Sequence, residues 1–104
     1  MTYAVVITDT ASVDLAEAFA YIYERSPLNA ERWIRDIYRE IQSLESFAGY
    51  GAARESDFLG IELRQKTFKS HRIIFSLDET KRTVTVHHVR HGARRAIGES
   101  NEES

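Results

Sequence analysis

Ser26-Pro27 separates two stretches whose apolar residues recur at three- and four-residue spacing, and no other feature constrains the fold as strongly. Upstream, Leu15, Ala18, Phe19 and Ile22 form one stripe. Asp14 and Glu17 lie toward the positive end of that predicted helix and Arg25 toward its negative end. Downstream, Ala30, Trp33, Ile34, Ile37, Ile41 and Leu44 form a second stripe, with Arg32, Arg35, Asp36, Arg39 and Glu40 on the other faces. Pro27 suits the first turn of a helix, where its nitrogen would lack an intrahelical partner anyway, and Ser26 offers the cap. So short a connection folds the two helices back as a hairpin.

The flanking segments read as strands. Tyr3 to Thr8 is rich in β-branched residues, and the polar cluster Thr8, Asp9, Thr10 and Ser12 then offers several helix caps. Gly49, Gly51 and the small residues around them end the second helix and open a loop through about Gly60. Beyond it, Ile61 and Leu63 alternate with Glu62, Arg64 and Lys66. Ile73, Phe75 and Leu77 alternate with Arg72, Ile74 and Ser76, and Val84 and Val86 with Thr83, Thr85 and His87. The stretch Asp78-Glu79-Thr80-Lys81 stands where a hairpin turn belongs, without the usual glycine. The order is β-α-α-β-β-β, an α+β fold with the helical hairpin on one face of a mostly antiparallel sheet and the other face partly open. One domain spans residues 1–97, and the polar, acidic residues 98–104 are expected to be disordered.

With 104 residues, 42% of them hydrophobic and 29% charged, the chain has the balance of a single globular domain. It has no cysteine, which excludes disulfides, thiolate metal sites and cysteine nucleophiles. No apolar run approaches the roughly 20 residues of a membrane span, and Met1 to Thr8 is too short and polar for a signal peptide, so a cytoplasmic location is expected. Net charge is −2, unevenly spread: residues 61–97 carry nine basic and three acidic side chains, or +6, against −8 for the remainder. Arg64 and Arg72 fall on the polar phase of adjacent strands, so both are expected on the open face, with Arg94 and Arg95 following the last strand. Such a surface suits phosphates or an acidic peptide. His87, His88 and His91 do not complete a metal site, because the first two are adjacent and expected on opposite faces and no cysteine or well-placed Asp joins them. No metal or other cofactor is expected.

The ordered set of segments resembles the RelE/ParE superfamily of bacterial type II toxins, and looks closest to ParE. The resemblance is carried by YAVVIT, by the helical pair with its Ser-Pro junction and Ala30-x-x-Trp33 spacing, and by the Gly51 to Glu55 loop. Gly60 to Arg64 (GIELR), His71 to Phe75 (HRIIF) and Val89 to Arg95 (VRHGARR) complete it. The superfamily fold is the β-α-α-β-β-β arrangement read above. The resemblance implies a toxin silenced by a cognate antitoxin that docks a helix and an extended segment. It also implies contact with operator DNA only through the antitoxin's own DNA-binding domain. Trp33, on the apolar stripe, is a core residue with a second possible role at the antitoxin interface.

RelE-like members cut mRNA on the ribosome, whereas ParE-like members poison DNA gyrase and have no known hydrolytic chemistry. The first activity needs a base for the 2′-hydroxyl, an acid for the leaving oxygen and cations for the developing charge. Arg72 matches the arginine that RelE sets against the phosphate, and Arg94 or Arg95 can match a second. The RelE lysines fall at Gly60 and Glu62, and no tyrosine follows Tyr50 to replace the late one. A YoeB-like branch uses a loop glutamate and a late histidine, for which Glu55 and His91 stand in comparable places with Arg72 between them. The resemblance therefore implies a gyrase-directed toxin, with Arg64, Arg72, His91, Arg94, Arg95 and Trp33 as residues for target or antitoxin. The alternatives are a ribosome-dependent nuclease acting through Glu55, Arg72 and His91, and a non-toxic antitoxin-binding relative.

Overall fold

A computed structural model describes residues 2–47, 52–56 and 62–92 of the chain. Strand β1 (Ala4–Ile7) leads into α1 (Asp9–Arg25). Of the candidate caps, Thr8 is the one used: its Oγ1 accepts the Ala11 N–H at 3.1 Å. Arg25 closes the helix, donating to the Tyr21 carbonyl at 3.1 Å with its guanidinium 3.9 Å from the Tyr21 ring centroid. Ser26 then serves both helices. Its N–H donates to the Ile22 carbonyl at 2.9 Å, and its Oγ accepts the Asn29 N–H at 3.2 Å. Helix α2 (Pro27–Gln42) starts on Pro27 and buries Ala30, Trp33, Ile37 and Ile41. The stripe expected to run unbroken to Leu44 is interrupted at Ser43, and fully buried Leu44 begins a separate turn, α3 (Leu44–Phe47).

The remaining strands are β2 (Ala52–Ser56), β3 (Glu62–Phe68), β4 (His71–Asp78) and β5 (Thr83–His91). They form one sheet in the order β1-β5-β4-β3-β2, with β1 parallel to β5 and the other pairs antiparallel. The α+β class and the helical hairpin on a mostly antiparallel sheet are as read. The segment taken for a loop, however, contains the additional strand β2. Its Ala-Ala-Arg-Glu-Ser sequence has no β-branched or aromatic residue, and pairing with β3, not local propensity, makes it extended. In the β4–β5 turn the Asp78 carboxylate accepts the Lys81 N–H at 3.0 Å. Arg82 takes the left-handed position (φ 51°) where a glycine would be easiest, with its guanidinium 4.6 Å from the Tyr3 ring centroid. The core lies between hairpin and sheet, and includes Leu15, Trp33, Ile37, Ile41, Ile73, Phe75, Val84, Val86 and Val89. Among the described residues no helix is long and apolar enough to cross a membrane.

Two register facts decide which side chains share a face. Arg64, Lys66 and Phe68 of β3 lie opposite Phe75, Ile73 and His71 of β4, so these β3 residues share the helix side of the sheet. Arg64 is therefore not on the open face with Arg72, as the alternation of Ile61 and Leu63 implied. The phase is inverted because Lys66 lies along the helix side, its Nζ reaching Glu40 at 2.8 Å and the Ser43 hydroxyl at 3.2 Å, while Phe68 packs on the core. The second fact is a bulge in β5. Ile74 faces His88 but Phe75 faces Val86, leaving His87 as an extra residue. Val84 and Val86 point to the helices, and after the bulge Val89 does so instead of His88.

Candidate functional site

The bulge builds two distinct surfaces at one end of the sheet. On the open side, Arg72 of β4 lies directly opposite Arg90 of β5, with Ile74 opposite His88 beside them. His87 and His88 both belong to this side, correcting the expectation that they diverge: His87 Nε2 is 2.8 Å from the Ser76 hydroxyl, and Ser76 is paired with Thr85 on the open face. His88 Nδ1 is 3.5 Å from an Arg90 guanidinium nitrogen and 3.7 Å from the Asp14 carboxylate. Its pKa is lowered from the ordinary 6.5, first by burial and then by the Arg90 charge, with Asp14 opposing. The neutral ring accepts from Arg90 at Nδ1, so the Asp14 contact is not a charged pair at neutral pH. Asp14 has another task. β1 ends at Ile7, opposite Val86, so among the described residues no strand pairs with the rest of β5 on that side, and the Asp14 carboxylate accepts the Val89 N–H at 2.9 Å. The Thr8 hydroxyl similarly donates to the His87 carbonyl at 3.3 Å.

On the helix side lies a groove of about 640 Å³ between α1, α2 and the sheet. Trp33, only 6% exposed, sets its ring centroid 5.0 Å from that of buried His71, and His91 meets His71 edge-on at 5.1 Å. Asp14, Glu17 and Tyr21 form the α1 wall, and Lys69 stands across from them on the β3–β4 turn. Gly92 ties the end of β5 to that turn, donating its N–H to the Ser70 carbonyl.

The sequence-predicted residues therefore divide. Arg72 is on the open face, whereas Arg64 is on the helix side with a Glu62 carboxylate oxygen at 3.5 Å. Trp33 and His91 both line the groove. Arg72 and His91 are thus on opposite faces of the sheet and are not brought together as a nuclease pair would be. Glu55 lies on β2 opposite Leu63, and its side chain is outside the described residues, as are Arg94, Arg95 and the acidic tail. Arg90, His71 and Asp14 were not singled out from the sequence. Arg90 carried a signal, a second arginine two residues past a histidine pair, but its partnership with Arg72 depends on the bulge. Among the described residues no group of His, Asp or Glu is arranged to hold a metal ion.

Residues 5–96 match the family model of the ParE toxin of the type II toxin–antitoxin system parDE, and the chain belongs to that family. Among solved structures, the chromosomal ParDE toxin–antitoxin system from P. aeruginosa is similar at 19% identity and a TM-score of 0.71, covering 86% of this chain and 96% of that one. The toxin–antitoxin complex RelBE2 from Mycobacterium tuberculosis is similar at 19% identity and a TM-score of 0.65, covering 90% and 95%. No curated protein sequence matches.

Proposed function

We propose that this toxin acts on DNA gyrase, without hydrolytic chemistry of its own, and is silenced by a cognate antitoxin seated in the groove on the helix side. The observation that carries the reading is the separation of Arg72 and His91 onto opposite faces. A ribonuclease needs a phosphate-binding arginine and a proton-transferring histidine around one reacting phosphate, within hydrogen-bond reach of it. Here the histidine stands beside His71 and Trp33, in a groove with an aromatic wall and charged rims. Such a concavity suits an amphipathic helix with an aliphatic stripe. Trp33 acts as an anchor surface for that helix while holding the core.

The test compares purified gyrase supercoiling with cell-free translation, each titrated with the toxin. Gyrase inhibition, with translation unaffected, is the expected result. Arrest of translation with cleaved mRNA at toxin levels that leave gyrase active would replace this reading with the nuclease one. In cells lacking the antitoxin, DNA synthesis should fall before protein synthesis on induction.

A further inference from the structure

We propose that Glu17 and Lys69, on opposite walls of the groove, dictate the charge pattern of its occupant: an antitoxin segment that turns a basic side chain toward α1 and a carboxylate toward the β3–β4 turn. This rests on the groove being the antitoxin's seat, and adds the chemistry by which a segment is accepted there.

Glu17 is the available carboxylate of the α1 wall. Asp14, three residues earlier on the same helix face, accepts the Val89 N–H at 2.9 Å and is committed within the fold. Glu17 is exposed, and among the described residues it takes part in no ion pair and no side-chain hydrogen bond. Tyr21, one turn later, carries the Arg25 guanidinium 3.9 Å from its ring centroid and is still 59% exposed. An exposed tyrosine beside rim charges is the residue type on which protein partners anchor.

Lys69 is the counterpart. It is exposed, its ammonium lies 5.5 Å from the Phe68 ring centroid, and among the described residues no carboxylate pairs with it. Its backbone is left-handed (φ 53°), where glycine fits most easily, so the turn holds a lysine at the rim against local preference. The Gly92 N–H, donated to the Ser70 carbonyl, fixes this turn beside the end of β5. The two walls thus carry opposite signs, with Ile22, Trp33 and Val89 between them. A nucleic-acid backbone would meet Glu17 and a uniformly basic segment would meet Lys69, so the walls fit a polypeptide carrying both signs. Once seated, such a segment expels water from both rims. Matched charges then gain from the lower local dielectric, and reversed ones face like charge, which costs more than lacking a partner.

The experiment titrates fluorescently labelled, full-length cognate antitoxin with the full toxin chain and its variants, read by anisotropy. Glu17→Lys and Lys69→Glu should each weaken binding about tenfold or more, whereas Glu17→Gln and Lys69→Met, which only remove a charge, should cost about two- to fivefold. Raising the salt from about 50 to about 300 mM should shrink these differences. The positions are exposed, and the near-isosteric Glu17→Gln guards against misfolding of the reversals. Antitoxin substitutions selected to restore binding to Glu17→Lys should replace a basic residue by an acidic one, and those for Lys69→Glu the reverse. Suppressors that leave the charge unchanged overturn the proposal. Tyr21→Ala separates the two levels of the reading. If it weakens binding about tenfold and the reversals do not, the groove is the seat but its charges do not select, and this proposal falls alone. If all three variants bind like the parent, the groove is not the seat and the antitoxin part of the proposed function falls too. Tighter binding by Glu17→Lys would mean that the chain's own Arg94 and Arg95 already occupy the wall. A toxin-only dimer in sedimentation that Glu17→Lys dissociates would give the groove to a second copy. Either result overturns the proposal.

Discussion

Replacing Gly92 by alanine places a methyl carbon 2.8 Å from the Ser70 carbonyl oxygen, closer than real Cβ atoms are found to neighbours. That oxygen is backbone and cannot swing away as a side chain would. It also accepts the Gly92 N–H, so the clash falls on the bond that fastens the end of β5 to the β3–β4 turn. The turn has little slack, because Lys69 already sits at φ 53°, in the left-handed region. Overpacking of this kind costs about 1–3 kcal/mol, and loss of the hydrogen bond adds about 0.5–1.5 kcal/mol. At about 4–8 °C per kcal/mol for a domain of this size, Gly92→Ala should lower Tm by at least about 5 °C in a circular-dichroism melt. Adding Lys69→Gly relieves the turn and should recover part of the loss, so the pair should be non-additive. A melt within about 2 °C of the parent, or strict additivity, would refute the close-contact explanation.

Asp14→Ala leaves the Val89 N–H without its acceptor at a residue only 5% exposed, and should cost about 1–3 kcal/mol in urea unfolding. Asp14→Asn keeps an acceptor oxygen and should lose much less; equal losses would mean that charge, not the hydrogen bond, matters. The lowered pKa of His88 means that the unfolded chain takes up this proton first as pH falls. Stability from this group is therefore present above about pH 6.5 and is lost as pH drops below it. His88→Gln should flatten the change in Tm between pH 7.5 and 5.5, and an unchanged slope would assign it to other groups. Trp33→Ala removes a side chain 6% exposed and should cost about 3–5 kcal/mol, measured by urea unfolding followed in far-ultraviolet dichroism, whereas Trp33→Phe should stay folded.

Both helices were legible in the sequence because their stripes, the Ser26 cap and Pro27 all point the same way, and a helix largely specifies itself. β4 and most of β5 were legible for the equivalent reason in period two. β2 was not, since its small and charged residues become a strand only against β3. The face of β3 was misread because alternation of Ile61 and Leu63 outweighed the aliphatic stem of Lys66, whose charged end finds Glu40 and Ser43 on α2. Hydropathy scores a lysine as outward regardless of where its stem lies. Arg72 was legible as an arginine of the open face, but its pairing with Arg90 was not, because a single unpaired residue leaves no trace in composition or periodicity. His91 was legible as a strand-end histidine, yet the company of His71 and Trp33 came only from tertiary packing.

The extra residue at His87 works like a half-turn in a ribbon. Before it, the odd-numbered positions of β5 look outward and the even-numbered ones inward; after it the assignment is exchanged. One strand can thereby contribute Arg90 to the open side and His91 to an aromatic groove while Val84, Val86 and Val89 stay in the core. Excising His87 would straighten the ladder and leave these addresses unchanged, because inward Val86 would be followed directly by outward His88; pairing His87 in regular register would instead send the arginine toward Trp33 and the histidine toward Arg72. The bulge thus absorbs the extra residue that would otherwise exchange the two surfaces.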